Sequence, residues 1–448
     1  MVLHPFTTYV LRNYYAATGW NEDNLYGNLT RSSEAILDFD VPTGLRVSVS
    51  KAPNSLFRTT YSLNALPTLT GTLGYIFTSC ELDLKNSAGV RLKDMVGRFK
   101  VYDQPRRPEE RPEEWLAGER IDKRDYLMSG LIHVPSGRLD AYYTTRLSRT
   151  LQASVSAITN PHSTPTRPMF DGSTGSGHLL LGLQHDTGRW CTDYTWDSDG
   201  GLWGVKVLRN FGKLANSDAT EDNSNYSGDT NAGLKRVDEE DAMEGGLRGR
   251  ISAGAELFVG SEKSAGVSLG VRFATLHDLD VTRTQAVPLH PRTPPSQPPT
   301  IITSIINPIT GQIETAYAAR ASKDLSLCSR FTFNMNSYDS EWTMGAEWWM
   351  RRKPLSSTTG SEHEKLPELG TLDNLTIPST SLLATPNHSG DIQGVIKARI
   401  STSARTSFIW EGRFRSALLS VGVVSDLSNR STPITAIGLE LAYFSSDA

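Results

Sequence analysis

Few residue groupings in this sequence have the spacing that chemistry demands. Gly266-Val267-Ser268-Leu269-Gly270 carries the letters of a nucleophile elbow, a motif that works only where a sharp strand-to-helix turn exposes the serine. Apolar and polar residues alternate straight through it, which puts Ser268 on the polar face of a strand with no helix behind it. Gly172, Gly175 and Gly177 lack the strand–loop–helix frame of a phosphate cradle. His185 next to Asp186, and His277 next to Asp278, have no third group to complete a nucleophile–base arrangement. His363-Glu364 lacks the second histidine of a zinc-binding helix. Cys80, Cys191 and Cys328 lie far apart, too sparse for a disulfide framework and without metal-ligand spacing. Asn28-Leu29-Thr30 is a glycosylation sequon by letter, of use only on a secretory route. The reading that follows is of a protein with no catalytic residue, no cofactor and no metal.

The elements that would position any site are strands. From Ala35 to the C-terminus, segments of eight to twelve residues alternate apolar and polar with period two. Ile251, Ala253, Ala255, Leu257 and Val259 form one face, and Ser252, Gly254, Glu256 and Phe258 the other. After a short loop, Val267, Leu269, Val271 and Phe273 oppose Ser268, Gly270 and Arg272, so the two segments make a hairpin. Further pairs run over 138–158, 178–196, 312–350 and 392–424, giving roughly 18 to 20 strands in one domain. Helical spacing is confined to the start, where Leu3, Phe6, Val10, Tyr14 and Ala17 share a face opposite Arg12. Residues 1–34 are therefore read as a lead-in with a short amphipathic helix, placed inside the barrel, and 35–445 as the barrel. Long polar or Pro-rich connections near 82–124, 212–247, 276–299 and 351–390 interrupt it without dividing it.

Charge placement separates a barrel in lipid from a water-soluble sheet protein. The polar faces carry Arg138, Asp140, Arg146, Glu256, Arg272, Glu347, Lys397, Arg399 and Glu440, while the opposite faces stay apolar. A barrel with a polar lumen requires this, because a charge on the lipid side near mid-bilayer costs about 2–4 kcal/mol. Carboxylates such as Glu256, Glu347 and Glu440 are then read as paired or hydrated lumen charges. Tyr142, Tyr143, Trp190, Trp196, Trp203, Trp342, Trp348, Trp349, Trp410 and Tyr443 fall near strand ends, as interfacial girdles do. An interior that need not be packed by apolar side chains accounts for a hydrophobic content of 38%. No run of about 18 apolar residues offers a transmembrane helix. A net charge of −4 gives no basic field for nucleic acid. The first 20 residues lack the basic-then-apolar order of a secretory leader. A barrel made in the cytosol points to mitochondria or plastids.

The last strand sharpens this. Ala436-Ile437-Gly438-Leu439-Glu440-Leu441-Ala442-Tyr443 resembles the sorting signal of mitochondrial β-barrels, with Gly438, Leu441 and Tyr443 matching and Ala436 standing where a polar residue is expected. Over nearly its whole length the chain resembles the mitochondrial distribution and morphology protein 10 family. The resemblance rests on 9–20 leading to Ile36-Leu37-Asp38-Phe39, on Gly71-Thr72-Leu73-Gly74-Tyr75-Ile76-Phe77, and on 204–211. Gly345-Ala346-Glu347-Trp348-Trp349 and Trp410-Glu411-Gly412-Arg413-Phe414-Arg415 extend it. It implies an all-β transmembrane barrel of about 19 strands, of the anion-channel or import-pore type, with first and last strands in parallel.

The resemblance also implies a place in the mitochondrial outer membrane and two memberships. One is the ER–mitochondria encounter structure, whose lipid-transfer subunits it would anchor. The other is the sorting and assembly machinery, where it would assist late maturation of the translocase. Tyr75, Phe77 and Tyr317 are by resemblance candidate partner contacts, with phenylalanine at 77 where a tyrosine is expected. The competing expectations are a metabolite- or polypeptide-conducting pore, against which the mixed-sign lumen argues, and a soluble all-β lectin or hydrolase.

Overall fold

The computed structural model describes residues 5–82, 84–101, 108, 115–116, 119–120, 125–160, 176–211, 249–260, 265–275, 298–351, 392–428 and 432–446. Helix α1 (Pro5–Thr18), a 3-10 turn over Tyr26–Asn28 and helix α2 (Arg31–Leu37) precede the strands. The first six strands are β1 (Gly44–Ala52), β2 (Phe57–Asn64), β3 (Thr70–Thr78), β4 (Tyr126–Val134), β5 (Leu139–Arg146) and β6 (Leu151–Asn160). The next seven are β7 (Ser176–Asp186), β8 (Trp190–Asp197), β9 (Leu202–Asn210), β10 (Gly249–Val259), β11 (Ala265–Thr275), β12 (Thr300–Asn307) and β13 (Gln312–Arg320). The last six are β14 (Leu325–Asn334), β15 (Ser340–Arg351), β16 (Ile392–Ser401), β17 (Arg405–Phe414), β18 (Ala417–Asp426) and β19 (Ile434–Ser446). A helical turn, α3 (Leu92–Met95), lies between β3 and β4.

Each strand pairs antiparallel with its sequence neighbours, and β1 meets β19 to close a 19-stranded barrel. An odd number of alternating strands leaves the first and last running the same way, so the seam is parallel, from Gly44 opposite Gly438 to Ala52 opposite Ser446. Closure leaves no unpaired backbone edge, which hydrocarbon could not solvate. The same alternation sends successive connections to opposite ends. The long ones, 79–125, 211–248, 276–299 and 352–391, all leave from the end where β1 finishes and where the C-terminus lies. Apart from 161–175, the connections at the other end are no longer than seven residues.

The two faces of the wall divide as the alternation predicts. Leu63, Leu257, Leu269, Val271, Phe331 and Ile437 are exposed on the outside, while Ser252, Arg272, Thr303, Glu347 and Lys397 are buried facing in. Three expectations need correction. The wall begins at Gly44, not Ala35, because 31–37 form α2, whose Ile36 and Leu37 are fully buried against the wall. Tyr142 and Trp349 are not girdle residues. Each has even-odd register with lumen-facing neighbours, and Tyr142 meets the Tyr15 hydroxyl at 3.3 Å while Trp349 is buried in the interior cluster. The interior, finally, is packed. Phe6, Tyr9, Val10 and Tyr14 of α1 form one cluster with Leu82, Leu84, Val90, Leu92 and Val96 of the β3–β4 connection and with Ile76, Leu127, Val395 and Phe444 of the wall. Half of the segment read as a polar loop is thus a lumenal insert.

Candidate functional site in the filled lumen

The N-terminal segment does not merely enter the barrel; it lines it. Helix α1 presents Phe6, Tyr9, Val10 and Tyr14 on one face, the i, i+3, i+4 spacing of an amphipathic helix. Phe6 and Tyr9 pack at a tilt against Phe444 near the end of β19, with centroids 5.4 and 5.9 Å apart. The helix stops at Gly19, whose φ of +67° suits a residue without a Cβ, and Trp20 N–H donates back to Tyr15 O at 2.9 Å. Arg146, at the end of β5, donates to Thr18 O and sits over the Trp20 ring at 5.8 Å.

From there the chain follows the inner wall around most of the circumference. Asn24 donates to Asp186 Oδ1 (2.7 Å) on β7 and accepts from Asn210 Nδ2 (2.6 Å) on β9, while Ser252 on β10 donates to Asn210 Oδ1 (2.7 Å). Tyr26 shares a 2.8 Å hydrogen bond with Ser268 on β11. That is where Ser268 finds its partner; the Gly-x-Ser-x-Gly motif lies wholly within a strand and exposes no nucleophile. Arg272 donates to Asn28 O (3.4 Å). Helix α2 then ends against two cations of β16. Lys397 Nζ donates to Ala35 O (2.8 Å) and Gly97 O (2.5 Å), and Arg399 Nη1 donates to Leu37 O (2.8 Å). Carbonyls left over at a helix C-terminus accept such donors readily. Arg330 on β14 grips Asp38, with Nη2 to Oδ1 at 2.8 Å.

Five inward glycines make room for this belt. An ideal Cβ on Gly254 would stand 2.6 Å from Tyr26 Cδ2, and one on Gly270 2.7 Å from Leu29 Cδ1. On Gly345 it would meet Leu37 Cδ2 at 2.6 Å, and on Gly422 Val41 Cγ1 at 2.6 Å. On Gly438 it would strike Pro42 O at 2.0 Å. Glycine inside a strand marks close approach of another backbone, and here the glycines trace the route of residues 26–42. That was the sequence signal available for the belt, since all five fall on the polar face of an alternating strand.

Of the remaining lumen charges, all but Glu440 make a polar contact with a described neighbour. Arg138, in the turn before β5, clamps Asp140 through Nε (2.7 Å) and Nη2 (3.0 Å), and His133 Nε2 adds a third contact at 3.1 Å. Glu256 pairs with Lys206 at 3.0 Å. Glu347 accepts from Phe99 N–H (3.2 Å) and Trp349 Nε1 (2.5 Å), tying the lumenal insert to β15. Arg399 also lies 5.6 Å over the Phe39 ring. Glu440 stands opposite Arg46 across the parallel seam, with Oε1 buried and without a hydrogen bond among the described residues. Lys397→Met is expected to strand the carbonyls of Ala35 and Gly97, at about 1–3 kcal/mol for each. A lowered thermal midpoint of the detergent-solubilised barrel checks this, and an unchanged midpoint refutes the anchoring role.

The candidate contact residues do not gather. Tyr75 and Phe77 point outward from β3, and Tyr317 points outward from β13, about half the barrel away. The Tyr75 ring covers Gly130 on β4, where a Cβ would come within 2.6 Å of its Cε1. Phe77 continues a row with Tyr126 (6.0 Å) and Tyr143 (6.1 Å between Tyr126 and Tyr143). In the last strand Gly438 faces in, and Leu441 and Tyr443 face out. Gly172, Gly175, His277, Asp278, His363 and Glu364 lie outside the described residues. Among the described residues no group of three His, Cys, Asp or Glu side chains could hold a metal ion.

An apolar exterior, a charged interior, an odd strand number and a parallel seam define a membrane-type β-barrel plugged by its own N-terminus. The family model for mitochondrial distribution and morphology protein 10 matches residues 3–372 and 373–446. A relative of that name from Laccaria bicolor is 56% identical over 99% of this chain and 100% of its own length. Relatives of the same name from Postia placenta and Sclerotinia sclerotiorum are 55% and 34% identical, over 99% and 98% of this chain and 100% and 99% of their own lengths. The chain belongs to the mitochondrial distribution and morphology protein 10 family.

Proposed function

We propose that this barrel is a scaffold of the mitochondrial outer membrane and not an enzyme. In this reading it anchors the lipid-transfer subunits of the ER–mitochondria encounter structure. It also assists late assembly of outer-membrane β-barrels and of the protein translocase, within the sorting and assembly machinery. The observation that carries the reading is the filled lumen. A belt held by Asn24, Tyr26, Leu37 and Asp38 and a core built on α1 make the barrel a rigid body. Its outer wall and the long connections gathered at one end are then the surfaces left for partners and lipid. A metabolite or polypeptide pore would need that lumen clear, and the fixed belt counts against it.

Affinity purification from mitochondria in mild detergent tests the scaffold. Recovery of both encounter-structure and sorting-machinery subunits is expected, and recovery of neither overturns the proposal. Alkaline carbonate extraction of the same membranes should leave the chain in the pellet; release into the supernatant would remove the integral barrel on which the scaffold depends.

A further inference from the structure

Within the lumen, between α1, the belt and the β3–β4 insert, lies a cavity of about 350 Å³. Small-molecule sites span about 300–1,000 Å³. Its lining is strongly basic in a chain whose net charge is −4. Arg12, Arg31, Arg91, Lys93, Arg98 and Lys100 face only Glu22, Asp23 and Asp94. Those carboxylates are already committed. Arg31 bonds Glu22 at 3.1 Å and Asp23 at 2.8 Å, Lys100 bonds Asp23 at 2.9 Å, and Arg91 lies 3.3 Å from Asp94. Among the described residues Lys93 and Arg98 have no carboxylate partner; the Lys93 ammonium instead lies 5.9 Å over the Trp349 ring.

Two wall cations strengthen the field. Arg320 ends β13 and Arg351 ends β15, and the Asp324 carboxylate beside them is held by Arg351. Burial lowers the Lys93 pKa, the positive charges of Arg98, Arg351 and Arg320 lower it further, and the Asp324 carboxylate offsets only part of this. Like charges held together at a partly enclosed site are a standing cost that an anion removes.

We propose that this cavity binds a phosphate ester, its oxygens taken by Lys93 and Arg98 with Arg12 on the facing helix. A guanidinium matches two phosphate oxygens in its plane, and an ammonium adds a point charge. The ester can be a soluble metabolite or the headgroup of a lipid, and neither source depends on the scaffold reading above.

Calorimetric titration of the full-length protein in maltoside micelles at low salt tests this, with glycerol 3-phosphate and dihexanoyl phosphatidic acid as probes. Lys93→Gln combined with Arg98→Gln should weaken binding at least about tenfold, while Lys93→Arg with Arg98→Lys should keep it. Arg98→Gln alone guards against a folding defect, because that guanidinium holds no described neighbour, and it too should weaken binding without moving the thermal midpoint. Tighter binding of the acylated probe identifies a lipid headgroup; equal binding of both identifies a soluble ester. Absence of binding by either probe, or equal affinity in wild type and the Arg98→Gln protein, overturns the proposal.

Discussion

Gly438→Asp is expected to abolish the stable membrane-integrated barrel. Even the Cβ of the new side chain would lie 2.0 Å from Pro42 O and 2.3 Å from Pro42 C, both backbone atoms that cannot swing away. Pro42 and Thr43 lead directly into β1, and Gly44 is the first register partner of Gly438 across the seam. Displacing that lead-in separates the strand pair that closes the barrel, and an open edge in hydrocarbon leaves several backbone groups without partners at several kcal/mol each. Leu441 and Tyr443 act differently, since they face outward, with Tyr443 40% exposed. Their loss removes apolar surface from the lipid face of the last strand while the seam geometry remains. Import of labelled precursor into isolated mitochondria separates the two. Gly438→Asp should give little carbonate-resistant product, with Leu441→Ser and Tyr443→Ser impaired more mildly. Normal integration of Gly438→Asp would refute the seam argument.

Deleting α1 (residues 5–18) while keeping the belt is expected to turn a plugged barrel into a conducting one. The helix buries Phe6, Tyr9, Val10 and Tyr14 at 0–5% exposure. At about 1.5–3 kcal/mol per side chain, their removal costs the lumen core several kcal/mol as an upper figure. Leu82, Leu84, Val90 and Leu92 of the insert would lose the same contacts. The wall itself should survive, because its ladder and the β1–β19 seam involve no residue of α1. Planar-bilayer recordings should show a stable conductance several times that of the intact protein, together with a lower thermal midpoint. A deletion variant that conducts no more than the full chain would refute the plug. The same recordings bear on function, since a scaffold tolerates a blocked lumen and a pore does not.

The wall was legible because its signal is local. A strand between lipid and a polar interior must alternate at every second residue, so Ile251 to Val259 and Val267 to Phe273 declare both their pairing and their faces. The lumen charges were legible for the same reason. Arg272, Glu347, Arg399 and Glu440 stand on the polar face of their strands by parity alone. Nearness to a strand end misled where the polar face meets protein instead of water. Trp349 and Tyr142 look like girdle aromatics until the insert and α1 are placed against them. The insert itself was hidden, since Leu82 to Val96 has no strand or helix period long enough to announce a packed segment.

The residues by themselves determined a closed all-β barrel, an amphipathic start and the absence of spacing suited to catalysis. Whether residues 19–42 formed a strand, a tail or a belt was decided only by tertiary structure. Their partners are Asp186, Ser268, Arg330, Lys397 and Gly438, each more than a hundred residues away. Such contacts impose no period on the sequence. They require only a missing side chain where two backbones touch and a donor where a helix ends, and a single glycine or lysine at the right register supplies each.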